Sequence, residues 1–176
     1  DCFELPARKH RRGGFVLQNS IAPYATLYPI RYNQFVGRFS FYHPIEVRYG
    51  DLDPQGHVNN ASYLTYFEQA RIAYIIHLGV WRMGDFQNIG IILADAQITF
   101  RAAVQFGQKV RVGVRVTRLG NKSMDMEYQL EDAETGQALA TGSTVLVSYE
   151  YSRPRTIPIP DTWRAAIAAF APLEAA

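Results

Sequence analysis

The stretch from Asn59 to Leu78, NNASYLTYFEQARIAYIIHL, limits the folds open to this chain more than any other. It reads as one helix, closed by Gly79 as a C-cap. Ala61, Leu64, Phe67, Ala70, Tyr74, Ile75 and Leu78 lie on one side, and Tyr63, Tyr66, Ala73 and Ile76 occupy others. Only Glu68, Gln69 and Arg71 interrupt the apolar surface near mid-helix. A helix that is apolar nearly all round is expected to be buried. In a chain of 176 residues, a buried helix about 30 Å long has to be the core that other elements wrap.

The flanking pattern has period two. From Phe39 to Tyr49, Phe39, Phe41, His43, Ile45, Val47 and Tyr49 alternate with mostly polar residues, which predicts a strand. Pro44 points to an edge or a bulge. After the helix, Trp81 to Asn88 reads as a loop or short helix. Four strand-like runs follow: Ile89 to Arg101, Lys109 to Leu119, Met124 to Glu131 and Ala138 to Tyr151. The links at residues 120–123 and 132–137 are hairpin-like. Basic residues on one run and acidic residues on the next suit cross-strand pairing. The class is therefore α+β, with about five antiparallel strands around one long central helix.

Domain organisation follows from the same periodicity. Residues 1–38 lack a repeat and form an irregular arm, residues 39–151 the domain, and residues 152–176 a tail with a short helix capped at Asp161 or Thr162. The net charge is +2, but the arm alone carries six basic and two acidic residues, clustered from Arg8 to Arg12. The domain and tail carry twelve basic and fourteen acidic residues, which argues against a nucleic-acid partner. The arm's excess fits a solvated tail, with targeting or phosphate contact as the sharper alternative. Cys2 is the single cysteine, so there is no intrachain disulfide and no cysteine-based zinc site. A cytoplasmic setting is expected. No apolar run approaches the roughly 18 residues of a membrane span, and no signal peptide is visible. His10, His43 and His77 are scattered without metal-ligand spacing.

Chemistry concentrates between strand and helix. Gly50-Asp51-Leu52-Asp53-Pro54-Gln55-Gly56-His57-Val58-Asn59-Asn60 is a turn made of residues that tolerate tight backbone. It ends where backbone N–H groups and the positive end of the helix dipole point outward. Such a place polarises a carbonyl beside a carboxylate. The plainer reading of Asn59 or Asn60 is a helix cap, and that of Asp51 is a structural cap of the turn.

Motif and element order together resemble the hot-dog fold, and residues 50–60 are similar to the signature of the 4-hydroxybenzoyl-CoA thioesterase-like family. The segment Asp53 to Asn60 also resembles the Asp-x-x-x-His-Val-Asn-Asn segment of plant acyl-ACP thioesterases. The match spans about residues 39–150. The resemblance implies hydrolysis of an acyl thioester on coenzyme A or an acyl carrier protein. It implies no cofactor beyond the carrier, and a homodimer or homotetramer with active sites at the subunit interface. It places the catalytic carboxylate at Asp53, the oxyanion amide at Asn60 and a further catalytic group at His57. Many bacterial relatives lack that histidine, and the plant pattern has Asn where this chain has Gln55 and a cysteine with no counterpart here.

Thioester hydrolysis asks for a nucleophile or base, a carbonyl polariser and a carrier site. Asp53 serves as nucleophile or general base. Gly56 and Asn59 offer backbone contacts, and Tyr63 and Tyr66 are candidates for an acyl pocket or for plain core. Glu68, three residues from Arg71 and expected to pair with it, is a reserve catalytic candidate. Arg101, Arg118, Lys122, Arg153 and Arg155 are candidates for the carrier's phosphates. Two other readings stay open, a non-catalytic acyl-CoA binding module and a hot-dog dehydratase acting on hydroxyacyl thioesters.

Overall fold

The computed structural model describes residues 39–81 and 89–170. The arm at residues 1–38 and most of the Trp81 to Asn88 connection lie outside the described residues. So do Cys2, His10 and the basic cluster.

The chain forms β1 (Phe41–Ile45), a 3-10 turn (Tyr49–Asp51), α1 (Asn60–His77) and β2 (Ile89–Phe100). β3 (Val110–Leu119), β4 (Ser123–Asp132), β5 (Ala138–Glu150), the two-residue β6 (Arg155–Thr156) and α2 (Asp161–Phe170) follow. The sheet order is β1-β3-β4-β5-β2, every pairing antiparallel, with β6 beside β5. Register shifts at Leu93/Asp95, Val116/Arg118 and Leu130/Glu131 bend the strands as bulges do. This is the hot-dog arrangement of an antiparallel sheet around a long helix.

β1 is shorter than its alternation predicts. Its ladder ends at Ile45↔Val110, where β3 begins. Beyond that point no strand remains for residues 46–49 to pair with. Pro44 sits in this edge strand, where a missing N–H is tolerated.

The expectation that α1 is apolar and buried all round is corrected. Tyr63, Tyr66, Phe67, Ala70, Arg71, Tyr74 and Ile75 form one buried stripe, with the i, i+3, i+4, i+7 spacing of a helix covered on one side. Leu64 stays 42% exposed and Glu68 faces solvent. The sheet covers one flank, so the tyrosines turn inward and Leu64 outward. Arg71 is part of the buried stripe. Its Nη1 donates to the Tyr128 hydroxyl (3.4 Å), which bonds Thr144 Oγ1 (2.8 Å). The expected pair with Glu68 is a loose 3.7 Å.

Phe67 stacks on Tyr128 with ring centroids 4.9 Å apart, and both are almost fully buried. Each such side chain contributes about 1.5–3 kcal/mol by leaving water. Gly142 permits this approach, since a Cβ there would stand 2.5 Å from Phe67 Cε2. On the other face, Arg111–Glu131 (2.7 Å), Arg115–Glu127 (2.8 Å) and Arg118–Asp125 (2.7 Å) pair across β3 and β4, as the charge pattern requires. α2 buries Trp163 and Ile167. Arg164 Nη2 ties it to the β3–β4 turn by donating to the carbonyls of Gly120 (2.6 Å) and Asn121 (2.8 Å).

Candidate active site

The turn between β1 and α1 is held by its own backbone. Asp53 N donates to the His57 carbonyl (2.8 Å) and Gly56 N to the Asp53 carbonyl (3.0 Å). Gly56 takes φ 78°, a left-handed conformation that glycine adopts freely. Val58 N donates to the Val104 carbonyl (2.8 Å), and His57 bridges to Gln105. The turn is thus pinned to the loop after β2.

These contacts orient Asp53. Its Oδ1 accepts from the backbone N–H groups of Gln55 (2.9 Å) and His57 (3.2 Å). The Gln55 side-chain nitrogen, in the orientation that satisfies both ends of its amide, lies 3.2 Å from Oδ2. One oxygen is therefore fixed, while the other meets only an exposed, movable amide. A carboxylate held this way presents a directed lone pair.

Asp51 does a different job. Its side chain is buried (6% exposed). Oδ2 accepts from the Tyr66 hydroxyl (2.9 Å) and the Arg48 N–H (3.0 Å), and Oδ1 from Arg48 Nη2 (3.0 Å). Burial works to raise its pKa, but the bonds from Arg48 and Tyr66 outweigh it and hold the carboxyl below its ordinary value. Burial and then the Asp51 bond push Tyr66 well above the usual phenol range. The Asp51 carbonyl accepts from Asn59 N (2.8 Å) and Ser62 Oγ (3.3 Å), so this residue also fixes the start of α1. Asn59 is the N-cap, its side chain accepting from Ala61 N (2.9 Å). Asn60 is the first helical residue, whose N–H has no intrahelical carbonyl to meet.

Asp53, Gly56, His57, Asn59 and Asn60 therefore share one turn. The His57 ring has no hydrogen-bond partner among the described residues. Tyr63 adjoins the turn. It is buried, sits edge-to-face with Phe100 at 5.0 Å, and its pKa is raised by burial and, to a lesser degree, by the Asp53 charge. Tyr66 is a core residue committed to Asp51 rather than a pocket wall, because a fully buried ring offers no surface to a ligand. Glu68 projects from the solvent side of α1, away from the turn. Arg118 pairs with Asp125, Lys122 with Thr156, and Arg153 and Arg155 with Glu150. Of the five phosphate candidates, Arg101 alone has a side chain without a polar partner among the described residues. No three His, Cys, Asp or Glu side chains gather into a metal site among the described residues, and no described helix is long and apolar enough to cross a membrane.

Two features escaped the sequence. The Arg48–Asp51 contact spans three residues and has a local signal, but the Tyr66–Asp51 bond joins positions fifteen apart. The second is a cavity of about 370 Å³. It lies under the C-terminal half of α1 and α2, far from Asp53, with Ile72, Ile75, Met126, Ile91, Trp163 and Ile167 in its wall.

Residues 47–167 match the family model described as the thioesterase-like superfamily. The match runs into α2, beyond the residue 150 at which the sequence resemblance was expected to stop. A 1,4-dihydroxy-2-naphthoyl-CoA hydrolase of Thermosynechococcus vestitus is 30% identical over 117 residues, 65% of this chain and 80% of that protein. A betainyl-CoA thioesterase of Pseudomonas aeruginosa is 26% identical over 108 residues, 61% of this chain and 68% of that one. Among solved structures, a Thermus thermophilus thioesterase complexed with coenzyme A and zinc is 36% identical, with a TM-score of 0.64. That alignment covers 75% of this chain and 95% of the other.

Proposed function

The chain belongs to the thioesterase-like superfamily and is a thioester hydrolase, and on that premise we propose that it hydrolyses an acyl-CoA at the Asp53 turn. The observation that carries this reading is the anchoring of Asp53. Two backbone amides fix Oδ1, which directs Oδ2 at the thioester carbonyl carbon or at a water beside it. In the first case a mixed anhydride forms, the thiolate leaves, and water then cleaves the anhydride. In the second, Asp53 takes the proton of the attacking water. The Asn60 N–H at the positive end of α1 meets the developing oxyanion, a role typically worth about 3–4 kcal/mol. His57 stands in the same turn with its ring unengaged among the described residues, and serves to orient the water.

The functional unit is a homodimer joined through β2. Among the described residues this twelve-residue strand pairs with β5 along one edge only, and it exposes Ile92, Leu93 and Phe100. A long, unpaired, apolar strand edge is a template for a second strand. A second copy supplies an identical one, related by a twofold axis.

The test is thiol release from aryl, short-chain and long-chain acyl-CoAs by the native chain and by Asp53→Asn. Turnover on at least one class, lowered roughly 10²–10⁴-fold in a folded Asp53→Asn chain, is expected. Near-native turnover in that variant refutes the assignment. Tight acyl-CoA binding without thiol release would turn the protein into a binding module.

A further inference from the structure

Tyr49 and Phe106 are the most exposed large apolar side chains among the described residues, at 81% and 60%. They stand in the two loops that hold the Asp53 turn. Tyr49 opens the 3-10 turn that ends at the buried Asp51. Phe106 follows Gln105, the residue that bridges to His57. An antiparallel bridge and one further residue put the Phe106 Cα at most about 9 Å from that of His57. The two rings meet edge to face, with centroids 6.2 Å apart and planes at 89°.

Single apolar residues scattered over a surface need no special role. This pair differs, because neither ring belongs to the hydrophobic core, the two rest on each other, and both backbones are held. Asp51 N donates to the Arg48 carbonyl (3.0 Å) and Arg48 N to Asp51 Oδ2 (3.0 Å), which closes the turn around Tyr49. Gln108 N donates to the Gln105 carbonyl (3.2 Å) and Gln105 N to Gln108 Oε1 (3.2 Å), which closes the turn around Phe106. Gly107 takes φ 77°, as the third position of a type II turn requires. Gln108 Nε2 then ties this turn to the end of β4 by donating to Asp132 Oδ2 (2.9 Å). Two held rings at right angles form a corner in which a third flat ring stacks on one and meets the other.

We propose that Tyr49 and Phe106 are the stacking corner for the adenine of an acyl-CoA substrate, and that this corner makes the enzyme select coenzyme A esters over thioesters on carriers without a base. The inference rests on the thioesterase reading above. Exposure decides which part of the substrate the corner takes. A ring 81% in water gives no shelter to an apolar acyl group, which gains only by leaving water. A nucleotide suits the corner, since its base stacks while its ribose and phosphates stay hydrated. Stacking uses the π-face that every base has, so it needs no hydrogen-bonding group from either loop. The pantetheine arm between base and thioester is long and flexible, so the carbonyl lies at Asp53 while the base lies outside the turn.

The experiment places one acyl group, the one that the native chain hydrolyses fastest, on coenzyme A and on pantetheine. The native chain is compared with Tyr49→Ala, Phe106→Ala and Phe106→Trp. Both residues are exposed, so these substitutions are not expected to unfold the chain. On the CoA ester each alanine variant is expected to raise KM about tenfold, the size of one lost base–aromatic stack, with kcat within about twofold. Phe106→Trp keeps a stacking face, and its KM is expected within about threefold of native. The pantetheine ester has no base to lose, so its KM should move by less than about twofold in every variant. A CoA-ester KM that neither alanine variant moves, or an equal rise on both esters, overturns the proposal.

Adenosine bisphosphate, the nucleotide end of the coenzyme, is then tested as an inhibitor. Inhibition competitive with the CoA ester and about tenfold weaker in the alanine variants is expected. Inhibition that is not competitive places the nucleotide at a separate site and overturns the proposal. So does a change of oligomer mass in either alanine variant, measured by light scattering, because the rings then serve contact between copies. If the native chain releases thiol from no thioester, the thioesterase reading itself falls and this inference with it. Thiol release that depends on Asp53 but is indifferent to both rings would sink the inference alone.

Discussion

At its N-terminal end α1 is fastened by directional bonds. Asp51 collects Arg48 and Tyr66 on its carboxylate and Asn59 and Ser62 on its carbonyl, while Asp53 is pinned by two amides. At its C-terminal end the same helix meets Met126, Trp163, Ile167 and Phe170 through apolar contact and leaves a 370 Å³ cavity. Hydrogen bonds fix angles and distances to a few tenths of an ångström. Apolar contact is non-directional and tolerates changes of shape. One helix thus has a rigid end, where a carboxylate and an amide are held in place, and a permissive end, where an apolar cavity remains.

The wall between these ends is the first place to break the comparison. Phe67→Ala removes the ring that stacks on Tyr128 and is expected to cost about 3–5 kcal/mol, read from denaturant unfolding. A loss below about 1 kcal/mol would mean the two ends are not separated by tight packing.

The rigid end is probed by Tyr66→Phe. It deletes one hydrogen bond to a buried carboxylate, a change expected to cost about 1.5–3 kcal/mol. Because Asp51 titrates below its ordinary value in the folded state, its contribution is complete above about pH 4, the unfolded carboxyl's range. It fades as the pH falls through the lower folded value. The Tyr66→Phe penalty should therefore be constant from pH 5 to 8 and shrink below about pH 4. A penalty that never shrinks as the pH is lowered and the carboxyl is protonated would show that Tyr66 does not depend on the Asp51 charge.

The smallest effect belongs to Asn59→Ala, which removes the N-cap bond to Ala61 N. About 1 kcal/mol is expected. The Asn60 amide keeps its place through the Asn59 N–H bond to Asp51, so kcat should fall by less than tenfold. A kcat loss as large as that of Asp53→Asn would move the Asn59 side chain into the catalytic machinery.

Much of this was legible in the residues. The period-two runs 109–119 and 124–131 became β3 and β4 within a residue or two, and their charges paired across the ladder. Gly50 to Asn60 announced a turn that opens a helix, and Asp53, His57, Asn59 and Asn60 do share it. The burial of α1 was misread because a helix rich in tyrosine and isoleucine looks apolar all round. Which stripe faces the sheet depends on where the sheet lies, and that placed Tyr66 and Arg71 inside and Leu64 outside. Tyr66 also could not be matched to Asp51 by spacing, because fifteen residues and a turn separate them.

The sequence by itself determined the elements and the chemistry of the turn. Periodicity and turn chemistry act over a few residues and need no partner, and the Asp53 carboxyl finds its amide donors two and four positions away. Tertiary structure alone decided the Tyr66–Asp51 bond, the Phe67–Tyr128 wall and the cavity under α2. Each of these is made by side chains from elements far apart in the chain, and the space they enclose depends on how closely helix and sheet approach, as Gly142 allows beneath Phe67.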